Sequence, residues 1–194
     1  MAKKLKSNFK NMFLVLLVTT VVSALVLSMT YNATKDPIEK AKETKQRAAV
    51  EKVISGFDEM KECVVTDASG NEMKIFDCLK DGESIGVAVQ SYTMLGFSGR
   101  IDVMVGFLPD GTITETVILK HLETPGLGDK LDISKHEFPR QFWDKNIADL
   151  RTGDKIQVTK DGGKIDAITA ATISSRAFCD AVDRAWEVYQ SNNK

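Results

Sequence analysis

Between residues 101 and 119 the chain reads Ile-Asp-Val-Met-Val-Gly-Phe-Leu-Pro-Asp-Gly-Thr-Ile-Thr-Glu-Thr-Val-Ile-Leu. Ile101, Val103, Val105 and Phe107 alternate with smaller or polar residues, the period of a strand with one buried face. Pro109, Asp110 and Gly111 then turn the chain, and Thr112 to Leu119 returns as a second β-branched strand, so the stretch predicts an antiparallel hairpin. Working backwards, Met73 to Leu79 and Ser84 to Tyr92 predict another strand pair around Asp81 and Gly82. Working forwards, Lys155 to Thr159 and Lys164 to Ile168 predict a short hairpin around a Lys160, Asp161, Gly162, Gly163 turn. Phe178, Val182, Ala185, Trp186 and Tyr189 recur at helical spacing and predict an amphipathic helix beginning near Ser174. Helices before, between and after such strands define an α+β class with a largely antiparallel sheet. No G-x-G-x-x-G follows a strand, so nothing points to a nicotinamide dinucleotide fold.

The N-terminal third has a different character. Residues 11 to 34 carry no charge, and Met12 to Met29 is almost wholly apolar, long enough for an uncleaved transmembrane helix. Lys3, Lys4, Lys6 and Lys10 precede it with no acid among them, whereas Asp36, Glu39 and Glu43 mix with lysines after it. This asymmetry predicts a cytoplasmic N-terminus and an extracytoplasmic remainder. Asp36, Pro37 and Glu39 read as the start of a fresh juxtamembrane helix running toward Gly56. The expected layout is a basic tail (1–10), a membrane span (11–34), a juxtamembrane helix (35–60) and a folded domain (61–194). The net charge is −1 in 194 residues, and with four lysines in the first ten residues the remainder is acidic, which argues against nucleic acid as a partner. Cys63, Cys78 and Cys179 lack Cys-x-x-Cys spacing and the two histidines lack a ligand pattern, so no metal site is predicted. Cys179, beside an apolar helix position, reads as a buried thiol, and pairing of Cys63 with Cys78 across a short hairpin stays open.

Asp166-Ala-Ile-Thr-Ala-Ala-Thr-Ile-Ser-Ser175 lies where the predicted C-terminal helix begins. A helix start offers unpaired N–H groups and the positive end of the dipole, and Ala170 and Ala171 add little bulk, an arrangement suited to an anion such as phosphate. The same residues also fit a plain helix start, with Ser174 or Ser175 as cap and Thr169 and Thr172 in the turn.

Asp166, Thr169, Ala171, Thr172 and Ser174 resemble the covalent flavin attachment motif of the FMN-binding subunits of the Rnf and Na+-translocating NADH:quinone reductase complexes, with Ala170 where that family usually has glycine. A second block, His121 and Glu123-Thr124-Pro125-Gly126-Leu127-Gly128, resembles the loop that helps to enclose the flavin in the same family. Gly96, Phe97 and Gly99 resemble its glycine and aromatic loop. Read without the resemblance, the 121–128 loop is a type II turn at Pro125-Gly126, His121 is a packing residue, and 96–99 joins two strands.

The resemblance implies a membrane-anchored electron carrier whose FMN is esterified through its phosphate to Thr172. It implies phosphate contacts at Thr169, Ser174 and Ser175, and contacts at the ring edge from Glu123 and Thr124. The implied partners are the other subunits of a membrane complex and a separate flavin transferase that uses FAD and a metal ion to make the bond. The compact length favours the Rnf branch, whose complexes pass electrons between ferredoxin and NAD and couple them to ion transport, over the quinone-reductase branch. A membrane-anchored FMN-binding module without turnover is the alternative of another class. A free-standing flavin reductase is disfavoured, since no second redox domain is visible.

Overall fold

The computed structural model describes residues 8–67 and 70–192. Lys3, Lys4 and Lys6 of the expected basic tail lie outside them. The chain divides into two compact units, Met1–Lys45 and Gln46–Lys194.

Among the described residues the first unit is, apart from Asn8, part of helix α1, Phe9–Val53, of which residues 46–53 fall in the second. The apolar run Met12 to Met29 spans roughly 27 Å at 1.5 Å per residue, close to the hydrocarbon thickness of a bilayer. Its side chains stand exposed, Leu16 and Leu27 among them. The threonine hydroxyls within and beside it are satisfied locally: Thr19 donates to the Val15 carbonyl at 2.9 Å, Thr20 to Leu16 at 2.7 Å and Thr30 to Val26 at 2.8 Å. That bonding removes the cost of bare hydroxyls in lipid. α1 is thus long and apolar enough to cross a membrane. The fresh helix start expected at Asp36 does not occur, because α1 runs through Pro37. A proline's fixed φ is helical, so the ring costs the helix one hydrogen bond and some local crowding without ending it.

The second unit is built on a six-stranded antiparallel meander in the order β1-β2-β3-β4-β5-β6. Its strands are β1 (Glu59–Thr66), β2 (Glu72–Lys80), β3 (Glu83–Gly96), β4 (Gly99–Phe107), β5 (Thr112–Lys120) and β6 (Lys145–Asn146). The hairpin predicted from 101 to 119 is β4-β5, with Val103 opposite Ile118 and Phe107 opposite Ile113. The α+β class with an antiparallel sheet therefore holds. β1 carries no strand signal in the sequence, since it lies at the edge with Glu59, Lys61 and Glu62 exposed, a composition that discourages edge pairing with other chains. After β6 comes a single helical turn, α2 (Ile147–Leu150), capped by the Asn146 side chain, which accepts from the Ala148 N–H at 3.0 Å.

Both faces of the sheet are covered. On one, Ile75, Val89, Ile101, Val103, Val105 and Phe107 pack against α3, Thr172–Asn192, through Phe178, Val182, Ala185 and Tyr189. On the other, Phe76, Cys78, Ala88 and Met104 pack against Ala49, Val50, Val53 and Ile54 at the end of α1. Two polar bonds fix α3 on β3, from Ser91 Oγ to the Ala181 carbonyl at 2.6 Å and from Thr93 Oγ1 to Asp180 at 2.7 Å. Cys63 stands opposite Ile75 and Cys78 opposite Met60 in the β1-β2 pair, so the two cysteines project from opposite faces and both are free thiols. Their pairing is excluded by register. Cys179 is buried as expected, and burial pushes its thiol up to about 12.

The hairpin expected over 155–168 takes another form. β8 (Lys155–Ile156) pairs with the preceding β7 (Arg151–Thr152), residues Thr159–Asp161 form a 3₁₀ turn, and Val158 and Ile165 make a single parallel bridge. Burial of Ile156, Val158 and Ile165 in one core draws the returning chain alongside rather than antiparallel. The turn closes through Gly162 at φ +88, followed by Gly163, whose position beside the Gln157 backbone has no room for a Cβ.

Candidate functional site

Docking of α3 across β3 brings its N-terminus to the β3-β4 turn and to the loop that leaves β5. Between these three segments lies a cleft of 310 Å³, lined by Phe97, Glu123, Thr124, Leu127, Gly128 and residues 170–174. Its openings are apolar: Phe97, Leu127 and Ile173 are 67%, 40% and 47% exposed. Exposed aromatic and branched side chains around a cleft are the surface that a flat heteroaromatic ring covers.

The expected helix start near Ser174 lies two residues too late. The Ala171 carbonyl accepts the first helical bond, from the Ser175 N–H at 3.0 Å, which makes Thr172 the first residue of α3. The N–H groups of Thr172, Ile173 and Ser174 therefore have no carbonyl within the helix to bond, and they form the positive end of a 21-residue dipole. Ala170 enters the helix at φ +63, the left-handed region that glycine occupies without strain. The Thr172 hydroxyl is half-buried at the cleft, and Lys160 Nζ donates to its oxygen at 3.1 Å.

Beneath Thr172 the two serines are used internally. Ser175 is fully buried, its hydroxyl donating to the Ala171 carbonyl and accepting from the Ile168 N–H, both at 3.0 Å. Ser174 donates to a carboxylate oxygen of Glu123. Glu123 is only 5% exposed, and its other oxygen accepts from the Ser98 N–H at 2.9 Å. One carboxylate thereby ties the β3-β4 turn, the 121–128 loop and the start of α3 together. It fits because two neighbours lack side chains: a Cβ on Gly96 would lie 2.8 Å from Glu123 Oε1, and one on Gly128 would strike Oε2 and approach Ser174 Oγ to 2.7 Å. Gly126, at φ +77, closes the turn in which the Leu127 N–H bonds the Thr124 carbonyl at 3.2 Å.

The structure thus gathers Phe97, Glu123, Thr124, Leu127, Ala171, Thr172 and Ser174 at one cleft, with Gly96 and Gly126 shaping the segments that line it. Ser175 lies below, closed off by its two bonds. His121 accepts from the Glu123 N–H through Nδ1 at 3.1 Å and so shapes the loop from outside the lining. Asp166 and Thr169 are exposed and stand outside the lining as well. The backbone of Asp166 is clasped by Gln141, whose side chain accepts from its N–H at 2.7 Å and donates to its carbonyl at 3.0 Å. Lys160, Ser98 and Gln141 were missed by sequence reasoning. Each reaches the site through a contact between segments far apart in sequence, and no local spacing announces it.

A hydroxyl at a helix start, a cation on its oxygen and an apolar cleft alongside can accept a phosphorylated aromatic cofactor. The hydroxyl, the cation and the apolar lining together fit a cofactor that has a phosphate and a flat ring, as FMN does. Residues 96–187 match the FMN-binding domain family. The chain is 32% identical to the G subunit of the ion-translocating oxidoreductase complex of Vibrio atlanticus, over 93% of its own length and 90% of that protein. The same subunits of Aliivibrio fischeri (31% identical, 97% and 93% covered) and Pseudoalteromonas atlantica (27% identical, 93% and 88% covered) match as fully. The chain belongs to this family of ion-translocating oxidoreductase complex subunits, the RnfG family.

Proposed function

We propose that this protein is the flavin-carrying subunit of an Rnf-type ion-translocating oxidoreductase complex, relaying electrons through FMN bound covalently at Thr172. One observation carries the covalent assignment. Of the hydroxyls in the 166–175 stretch, Ser174 and Ser175 are committed to Glu123 and to backbone, and Thr169 stands outside the cleft. Thr172 alone among them combines a place at the cleft, the first position of α3 and a neighbouring cation.

The bound flavin supplies the redox chemistry, and the chain binds and orients it. In that linkage Thr172 Oγ1 would form a new P–O bond as the pyrophosphate bond of FAD broke. Adenylate would leave with the electron pair and the hydroxyl proton would pass to solvent, with nothing oxidised or reduced. A separate flavin transferase would supply the catalysis of that step. The unpaired N–H groups of α3 would receive the phosphate, and Phe97, Leu127 and Ile173 would cover the ring. α1 holds the domain at the membrane, with the basic N-terminus cytoplasmic and the flavin domain outside. Intact mass of the protein produced together with a flavin transferase tests the assignment. The expected gain is the mass of FMN less one water, and an unmodified mass contradicts it.

A further inference from the structure

We infer that Lys160 is the cation that holds the phosphate of the cofactor at Thr172, an inference that rests on the covalent-flavin reading above. Lys160 Nζ lies 3.1 Å from Thr172 Oγ1, the oxygen to which the phosphorus would bond. Its position is built rather than incidental. The 3₁₀ turn that carries it is closed by bonds from Asp161 N–H to the Val158 carbonyl at 2.8 Å and from Gly163 N–H to the same carbonyl at 3.0 Å. The next residue, Asp161, grips Arg176 through two bonds of 2.6 Å. Thr172 and Arg176 are one helical turn apart, so consecutive residues of the turn seize consecutive rungs of α3.

The other cations near Thr172 have partners away from its hydroxyl. Arg176 is paired with Asp161, whose carboxyl its guanidinium holds below the usual range, and the Lys164 ammonium donates to the Asp149 carbonyl at 2.6 Å. Lys160 contributes to the field on Asp161, yet its hydrogen bond goes to a neutral hydroxyl oxygen. It also stands at the N-terminus of α3, where the helix dipole disfavours a cation. A phosphodiester on Thr172 Oγ1 reverses that conflict: the negative oxygens lie between the ammonium and the N–H groups of residues 172–174, and both favour them. Before linkage, the same ammonium holds a lone pair of the acceptor oxygen and so fixes the hydroxyl rotamer presented to the transferase.

The test uses the full chain in detergent with a flavin transferase and FAD, comparing wild type with Lys160→Met, Lys160→Arg, Lys164→Met and Thr172→Val. Covalent flavin is followed over time by in-gel fluorescence and intact mass, and the loaded proteins are compared by 31P resonance. Lys160→Met should load at least about tenfold more slowly, the factor set by about one charge-assisted bond. Lys160→Arg should recover most of the rate. The 31P signal should move in loaded Lys160→Met and stay in place in Lys164→Met, which removes a lysine from the same segment. Loading of Lys160→Met at the wild-type rate overturns the inference. So does slow loading with an unmoved 31P signal, which would assign Lys160 to transferase docking instead. Wild type that takes up no flavin, or Thr172→Val that does, overturns the covalent reading and this inference with it. Loaded wild type beside unloaded Thr172→Val shows that the parent reading stands whatever Lys160 does.

Discussion

Ala170 adopts φ +63 two residues before Thr172, the first residue of α3. An L-residue with a Cβ is strained there by about 1–2 kcal/mol, whereas glycine is not, although glycine loses about 0.5–1 kcal/mol more backbone entropy on folding. Ala170→Gly is therefore expected to stabilise the domain by about 0.5 kcal/mol, seen as a higher urea midpoint at unchanged slope. A lower midpoint would show that the Ala170 methyl group makes a compensating contact. The sequence revealed the small size of Ala170 and Ala171 but not the left-handed turn. That conformation follows from the tertiary path linking Ile168, whose N–H bonds Ser175 Oγ, to a helix whose first carbonyl belongs to Ala171. Likewise, Ser174 and Ser175 read equally well as caps or phosphate ligands until their partners, Glu123, Ile168 and Ala171, are in place.

At the scale of elements, strong periodicity was legible and interactions between segments were not. β4, β5 and α3 fall where alternation and helical spacing put them, because each buries one face in the shared core of Phe107, Ile113, Phe178 and Val182. β1 and the 155–168 segment escape that logic: the first is an exposed edge, and the second follows the burial of Val158 and Ile165 rather than a turn signal. The Glu123 junction shows what the difference costs. His121 to Gly128 reads as a turn, yet its third residue is the carboxylate joining three segments, with Gly96 and Gly128 leaving it room. Gly128→Ala is expected to force Glu123 and Ser174 apart and to destabilise the domain by about 1–3 kcal/mol, as overpacking does. Chemical denaturation checks this. A midpoint equal to wild type would mean that the loop shifts without loss and that the junction is not structurally demanding.

For the whole molecule, one chain joins a helix long and apolar enough to cross a membrane to an FMN-binding domain. With Lys3, Lys4, Lys6 and Lys10 ahead of the span, a reporter enzyme that works only outside the cytoplasm should be active when fused after Lys194. Activity from a reporter confined to the cytoplasm would reject the orientation. The central claim is that Thr172 bears the flavin, and Thr172→Val keeps the β-branched shape while deleting the oxygen. The hydroxyl's hydrogen bond is to an exposed lysine, so the fold should survive its loss, as circular dichroism would show. Thr169, exposed and outside the cleft lining, should tolerate the same change with attachment retained. The deciding measurement is flavin fluorescence on a denaturing gel of wild type, Thr172→Val and Thr169→Val, each produced with a flavin transferase. Fluorescence in wild type and Thr169→Val but not in folded Thr172→Val is the predicted result; a fluorescent Thr172→Val band would contradict it.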